Sequence, residues 1–336
     1  MSLLRRTAAL LLVPALAVVA AGCGDDGGGD TAAASAPSVA AGFPVTVENC
    51  GVSTTYKAAP ERVVAEEQNV IETMLTLDLT ERIVGVATRN QTEPRADLAP
   101  AYRSLNVLST RGGITRELLL SVDPELMVSR QEGSFAEEKG ISRESLRGDG
   151  ISSFVLGQDC IDGRPTWPGI YEQIQSLASV FGATEQADQV IAEMTATVEE
   201  LETTAAERGT KPRVFIYDDS GEDVPGTQGE DALATMLLDS AGAENVFADV
   251  PGIFGNVTWE QLVERNPEVV MAIDYGDGSG FEAQPLIDRL RNHPAARNID
   301  AVRNDRILIV PNQQLLLGVR NVEALRTIVE NLGDRS

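Results

Sequence analysis

The sequence predicts an α/β fold of two similar lobes joined by one long helix, and three observations predict it. Apolar runs of strand length alternate with helix-period patterns along most of the chain, the mark of largely parallel sheets covered by helices. A helix–strand unit occurs twice. Ile114-Thr115-Arg116-Glu117-Leu118-Leu119 leads to Pro124-Glu125-Leu126-Met127-Val128, and 143 positions later Val257-Thr258-Trp259-Glu260-Gln261-Leu262 leads to Pro267-Glu268-Val269-Val270-Met271. Thr, Glu, Leu, Pro and Glu fall at the same five offsets in the two copies. Between them lies an unbroken amphipathic stretch from Thr184 to about Arg208.

The chain opens with Arg5 and Arg6, an apolar run from about Thr7 to Ala21, and small residues before Cys23. That is the layout of a secretory leader over residues 1–22, too short to favour a membrane span. A cysteine just after Ala21-Gly22 resembles a bacterial lipoprotein cleavage site, with Cys23 the lipidated residue; plain secretion is the alternative. Residues 23–43, rich in Gly, Asp, Ala and Ser, bury too little apolar area to offset their ordering entropy and read as a flexible tether.

The first lobe is expected over 44–183. Arg62-Val63-Val64-Ala65 opens it as a buried strand. A helix (Val70 to Leu77), strands at Ile83 to Ala87 and Leu105 to Leu108, the first repeat helix and a strand at Leu126 to Val128 follow. A helix from Glu137 to Arg147, a strand from Ile151 to Leu156 and a helix from Ile170 to Phe181 complete it. The connecting helix, 184–209, has Thr184 as a candidate N-cap and Gly209 as its stop. Ala187, Val190, Ile191, Met194, Val198, Leu201 and Ala205 make one apolar stripe, and about 24 residues at ~1.5 Å each give a rod of roughly 36 Å. The second lobe, 210–336, restarts with Arg213-Val214-Phe215-Ile216. Thr235-Met236-Leu237 echoes Thr73-Met74-Leu75, and a late strand runs from Ile307 to Val310.

Composition excludes several functions. The chain carries 27 basic and 51 acidic residues, a net charge of −24, which becomes −26 without the two leader arginines. That disfavours nucleic acid, which needs a cationic face. The single histidine, His293, rules out a site built from several histidines and leaves no nucleophile–base constellation. No G-x-x-x-x-G-K-[ST] occurs. The chain therefore reads as a non-enzyme without a cofactor, an enzyme or sensor for an anionic metabolite being the alternative class. Cys50 and Cys160 are the two cysteines beyond Cys23, and in an oxidising compartment they are expected to pair.

Binding chemistry is expected beyond the carboxyl ends of the strands. In the first lobe three strands run into a hydroxyl followed by arginine: Thr88-Arg89, Thr110-Arg111 and Ser129-Arg130. If the strands are neighbours, Arg89, Arg111 and Arg130 converge, and guanidinium groups bind carboxylates and other anionic oxygens with paired hydrogen bonds. The matching ends of the second lobe offer Tyr217-Asp218, Asp274-Tyr275 and Asn312-Gln313-Gln314, with Phe254 before the second repeat helix. From these we expect Tyr217, Phe254, Tyr275, Asn312 and Gln313 to face the ligand.

On these residues the chain resembles the substrate-binding lipoproteins of bacterial ABC importers, in the family that binds ferric siderophores and cobalamin. The resemblance covers about residues 45–335. It rests on Pro60-Glu61-Arg62-Val63-Val64, Glu72-Thr73-Met74-Leu75, Arg82-Ile83-Val84-Gly85, both repeat copies, the single connecting helix, and Asn298 to Val310 through Ala301-Val302. It implies two Rossmann-like lobes bridged by one helix, which limits hinge motion. It also implies one exposed glutamate per lobe docking onto a dimeric permease, at Glu117 and Glu260; acids in a first helical turn also stabilise the helix dipole by about 0.3–1 kcal/mol. The expected ligand is a ferric siderophore of anionic, catecholate or carboxylate type, its iron held by the siderophore and not by the protein. Cobalamin or haem is the alternative. The expected molecule is an exported monomer, lipid-anchored to the outer face of the cytoplasmic membrane, whose partners are that ligand and a permease with its ATPase.

Overall fold

The computed structural model describes residues 42–87, 92–110, 113–218, 224–276 and 279–333. The leader, Cys23, nearly all of the tether, Arg89 and Arg111 lie outside the described residues.

A hairpin of β1 (Val45–Asn49) and β2 (Val52–Tyr56) precedes the first sheet. Then come β3 (Val63–Glu66), α1 (Gln68–Thr76), β4 (Ile83–Ala87), α2 (Ala99–Ser104) and β5 (Val107–Ser109). They are followed by α3 (Arg116–Leu120), β6 (Leu126–Ser129), α4 (Arg143–Gly148) and β7 (Ser152–Val155). The five strands β3 to β7 are parallel, in the order β5-β4-β3-β6-β7. Every residue of β3 and of β6 is buried, as continuous apolar runs covered on both faces require.

Two expectations shift. The strand expected at Leu105 starts at Val107, because Leu105 closes α2 and the Asn106 side chain donates to Val84 O at 3.0 Å. The helix expected over Glu137 to Arg147 is broken. A short 3-10 turn, Glu137–Lys139, stops at Gly140 (φ +66°), and Ser142 starts α4 by accepting from Ser145 N at 3.2 Å.

α5 (Trp167–Phe181) begins earlier than its apolar period suggests, since Thr166 Oγ1 accepts from Gly169 N at 3.2 Å and Pro168 suits the first turn. It ends at Gly182 (φ +68°), where Gly182 N donates to Ser179 O and Ala183 N to Ala178 O, the paired stop bonds of a Schellman turn. That turn places Ala183, and not Thr184, at the N-cap of α6 (Thr184–Glu207), which has no side-chain cap bond.

The second half contains β8 (Arg213–Tyr217), β9 (Gly226–Gln228), α7 (Leu233–Ser240), β10 (Glu244–Asn245), β11 (Phe254–Asn256) and α8 (Trp259–Arg265). It continues with β12 (Val269–Asp274), α9 (Ala283–Asn292), α10 (Asp300–Arg303), β13 (Ile307–Pro311) and α11 (Asn321–Leu332). A parallel sheet runs β10-β8-β12-β13, and β9 and β11 pair antiparallel as a separate flap. The repeat is structural: α3 and α8, and β6 and β12, each start 143 positions apart.

One hydrophobic cluster joins the two sheets. It runs from Val63 and Leu126 through Ile174 and Leu177 of α5 and Met194, Val198 and Leu201 of α6 to Val214, Met271 and Ile328. Residues 39–336 accordingly form one compact unit. Cys50 and Cys160 are disulfide-bonded. Beside them the Asn49 side chain accepts from Val155 N at 2.7 Å and donates to Val155 O at 2.8 Å, closing the outer edge of β7. The buried Arg143 donates to Asn49 Oδ1 and to Ser153 Oγ, fixing the same edge.

Candidate functional site

In each parallel sheet the chain builds outward from one strand and then returns to its other side. The reversal falls between β3 and β6 in the first sheet and between β8 and β12 in the second. Crevices outside the carboxyl ends of strands at such a reversal are where open α/β sheets take ligands.

At the first reversal the ends of β3 and β6 bring Glu66, Glu67 and Arg130 together. Glu66 is buried; its carboxylate accepts from Ser129 Oγ at 2.7 Å and from Ile114 N at 3.3 Å, tying the β6 end to the loop after β5. Glu67 has φ +81° and ψ 146°, a conformation costly for a residue with a Cβ. Its carboxylate is 3.8 Å from Arg130 Nε, and Arg130 keeps 28% of its side chain exposed. Gly157 lets the Arg130 backbone pass close by, because a Cβ there would lie 1.7 Å from Arg130 O. The apolar run Val63-Val64-Ala65 does not by itself single out Glu66 and Glu67; two acids ending a buried run are the available signal.

At the second reversal Asp218 follows β8 and Tyr275 follows β12. Asp218, 3% exposed, accepts from the Tyr275 hydroxyl and from Gln228 Nε2, both at 3.0 Å. Asp218 and Tyr275 line a pocket of about 410 Å³, with Thr227, Phe254 and Asn256. Phe254, carried by the flap, is 64% exposed. Phe281, which sequence reasoning passed over, packs edge-on to Tyr275 with ring centroids 6.0 Å apart.

Other expected wall residues lie elsewhere. Tyr217 has no exposed surface; its ring packs 5.3 Å from Phe215 and 6.5 Å from Trp259, centroid to centroid, in the core behind the sheet. It shares a face of β8 with Phe215, while Val214 and Ile216 bury the other face, and the next residue, Asp218, lies past the strand end and lines the pocket. Asn312 and Gln313 are buried, in a turn that packs against α1 of the other lobe. Just beyond, Asn69 Nδ2 donates to Leu317 O at 2.8 Å. In the same seam Arg320 Nε lies 3.4 Å from the buried Glu72 carboxylate. Burial pushes the Glu72 carboxyl above its ordinary value, against the opposing pull of Arg320.

Glu117 and Glu260 are both exposed on first helical turns. Thr115 Oγ1 accepts from Leu118 N at 3.3 Å, and Thr258 forms a full capping box with Gln261. His293 stacks on Trp259 with centroids 4.0 Å apart and accepts from Ala296 N through Nδ1, so the lone histidine is a packing residue.

A family model described as periplasmic binding protein matches residues 63–314. An uncharacterized ABC transporter substrate-binding lipoprotein of Bacillus subtilis is 24% identical over 294 residues, 86% of this chain and 86% of that one. A vitamin B12-binding protein of Pectobacterium carotovorum is 23% identical over 219 residues, 65% of this chain and 73% of its own length. The crystal structure of an ABC-type Fe3+-hydroxamate transport system from Saccharomonospora viridis superposes with a TM-score of 0.73 at 27% identity, over 87% of this chain and 100% of that one. The family match spans both parallel sheets and the helix between them, and the chain therefore belongs to the periplasmic binding protein family.

Proposed function

We propose that this chain captures a ferric siderophore between its two lobes and delivers it to the permease of an ABC importer. The observation that carries the reading is the pair of reversals. One is edged by Arg130 and the other opens on the Asp218–Phe254–Tyr275 pocket. Arg130 after β6, with Arg89 and Arg111 following β4 and β5 in the chain, on the far side of β3 in the same sheet, suits a complex with residual negative charge, of catecholate or carboxylate type. Similarity to a transporter lipoprotein and to an Fe3+-hydroxamate transport protein supports an extracytoplasmic role, with Cys23 as the lipid anchor and Glu117 and Glu260 as the permease contacts.

Quenching of intrinsic fluorescence by catecholate, carboxylate and hydroxamate ferric complexes tests the reading. We expect saturable binding of at least one, weakened about tenfold or more by Arg130→Ala or Arg111→Ala, the scale of a lost charge-assisted hydrogen bond. No saturable response to any of them would overturn it. Cobalamin is the second reading. The aromatic surface of Phe254, Tyr275 and Phe281 and the likeness to a vitamin B12-binding protein favour it. Cobalamin belongs in the same titration, and its tight binding in place of a ferric complex would establish it.

A further inference from the structure

The repeat carries more than its two glutamates. Leu120 lies three positions after Glu117, and Val263 three positions after Glu260. That spacing sets the two side chains of each pair next to one another on one helix face. Both glutamates are exposed, and so are their apolar neighbours, Leu120 at 42% and Val263 at 37%. Among the described residues six large apolar side chains are exposed, and these two hold the same place in the two copies. Their settings match as well. The residue before each, Leu119 or Leu262, has no exposed surface and anchors its helix. Three residues after each, Asp123 (φ +47°) or Asn266 (φ +39°) takes a left-handed turn, and a buried proline, Pro124 or Pro267, follows. The same local geometry therefore turns Leu120 and Val263 outward in both lobes. Both helices also start beside the candidate cleft. α3 begins just after Ile114, whose N donates to Glu66 at the β3 end, and α8 just after Asn256, which lines the second-lobe pocket.

An exposed ion pair contributes little by itself, because water screens it. Apolar side chains beside a charged contact exclude that water and strengthen the pairing. We propose that Glu117 with Leu120, and Glu260 with Val263, form two equivalent docking points for the permease dimer, each fitting a basic side chain of the permease set beside an apolar patch. This rests on the permease reading above and adds the apolar half of each contact. Carboxylates at both points repel an anionic lipid surface, so the partner is a protein and not the bilayer. A matched pair of points also fits a two-fold partner, which presents one surface twice.

The test measures the affinity of the mature chain for the permease with its ATPase in nanodiscs, at low and at high salt. Leu120→Asn with Val263→Thr, polar replacements of similar size, should weaken binding about tenfold, the scale of two part-exposed apolar side chains losing a dry contact. The fall of affinity with salt should stay as in the wild type. Glu117→Gln with Glu260→Gln should weaken binding and flatten that fall. Ile309→Thr changes an apolar side chain of similar exposure, 44%, outside the repeat, and should leave binding unchanged. Circular dichroism checks each fold, and if the Leu120 and Val263 double variant does not fold, Val263→Thr alone decides, through a loss of about threefold. A double apolar variant that binds as the wild type, while the glutamine variant binds weakly, overturns the inference alone. An equal loss in Ile309→Thr overturns it too, because the effect would then belong to any apolar surface. No binding by the wild type, or binding that no variant alters, overturns the docking role of the glutamates and the inference with it. Equal binding to nanodiscs without the permease makes the partner lipid and overturns both.

Discussion

Tyr217 and Asp218 are neighbours with opposite fates, and the difference is where the strand ends. Tyr217, the last residue of β8, packs in the core against Phe215 and Trp259, whereas Asp218 lies past the strand end and lines the pocket. Tyr217→Ala should therefore cost about 3–5 kcal/mol of stability, as for other large buried rings, read from urea unfolding. Phe254→Ala should leave the unfolding midpoint unchanged, because Phe254 is 64% exposed, and should weaken ligand binding in the fluorescence titration. The reverse pattern would put the ligand against Tyr217. Glu72 supplies a pH test. Its carboxyl lies above its ordinary 4.5 in the folded protein, so the native state binds the proton more tightly than the unfolded one. The resulting contribution is complete below 4.5 and is lost as pH rises through the raised value. Urea unfolding from pH 4 to 7 should show stability falling more steeply with pH in the wild type than in Glu72→Gln. Equal slopes would place the carboxyl in a water-like setting. No periodicity marks Glu72 as buried beside Arg320, because the pair meets only when residues 248 apart in sequence come together.

Elements with their own signals were legible. The strand at Ile83 to Ala87 falls where its apolar run lies, and the long helix runs from Thr184 to Glu207 as its stripe requires. The errors lie at boundaries set by a competing local bond. Gly140 with the Ser142 cap divides one expected helix, and the paired stop bonds at Gly182 move the α6 cap from Thr184 to Ala183. The β9–β11 flap was not legible at all. Its strands, Gly226–Gln228 and Phe254–Asn256, are three residues each, show no alternating pattern and are separated by a whole helix. The two repeat helices differ in their starts, and this too can be measured. Thr258 makes a reciprocal box with Gln261, whereas Thr115 accepts a single longer bond at 3.3 Å. Thr258→Ala should cost about 1 kcal/mol and Thr115→Ala less, by chemical unfolding. A larger loss at Thr115 would show that its cap matters more than its geometry indicates.

At the scale of the whole molecule, one core runs through both lobes and a disulfide fastens the leading hairpin to the end of the first sheet. The cross-link closes a loop of 110 residues, for which the chain-entropy model gives roughly 4–5 kcal/mol. Cys50→Ser with Cys160→Ser should lower stability on that scale. A midpoint within experimental error of wild type would mean that Asn49 and Arg143 hold the β7 edge unaided. The paired glutamates also belong to this scale. Glu117→Ala with Glu260→Ala should leave ligand affinity unchanged and abolish uptake in vesicles carrying the permease and its ATPase. Uptake at the wild-type rate would remove the docking role.

Sequence alone determined the two-lobed α/β plan, the connecting rod and the doubled helix–strand unit, because apolar period, caps and stops act over a few residues and leave a local trace. It also narrowed the chemistry, since composition excludes without needing geometry. Only the tertiary structure decided which strand ends meet. The order β5-β4-β3-β6-β7 sets Arg130 beside Glu67, and the order β10-β8-β12-β13 sets Asp218 beside Tyr275. Those neighbours are 63 and 57 positions apart in the chain. Their meeting follows from strand order and from where each strand ends, which no local pattern encodes.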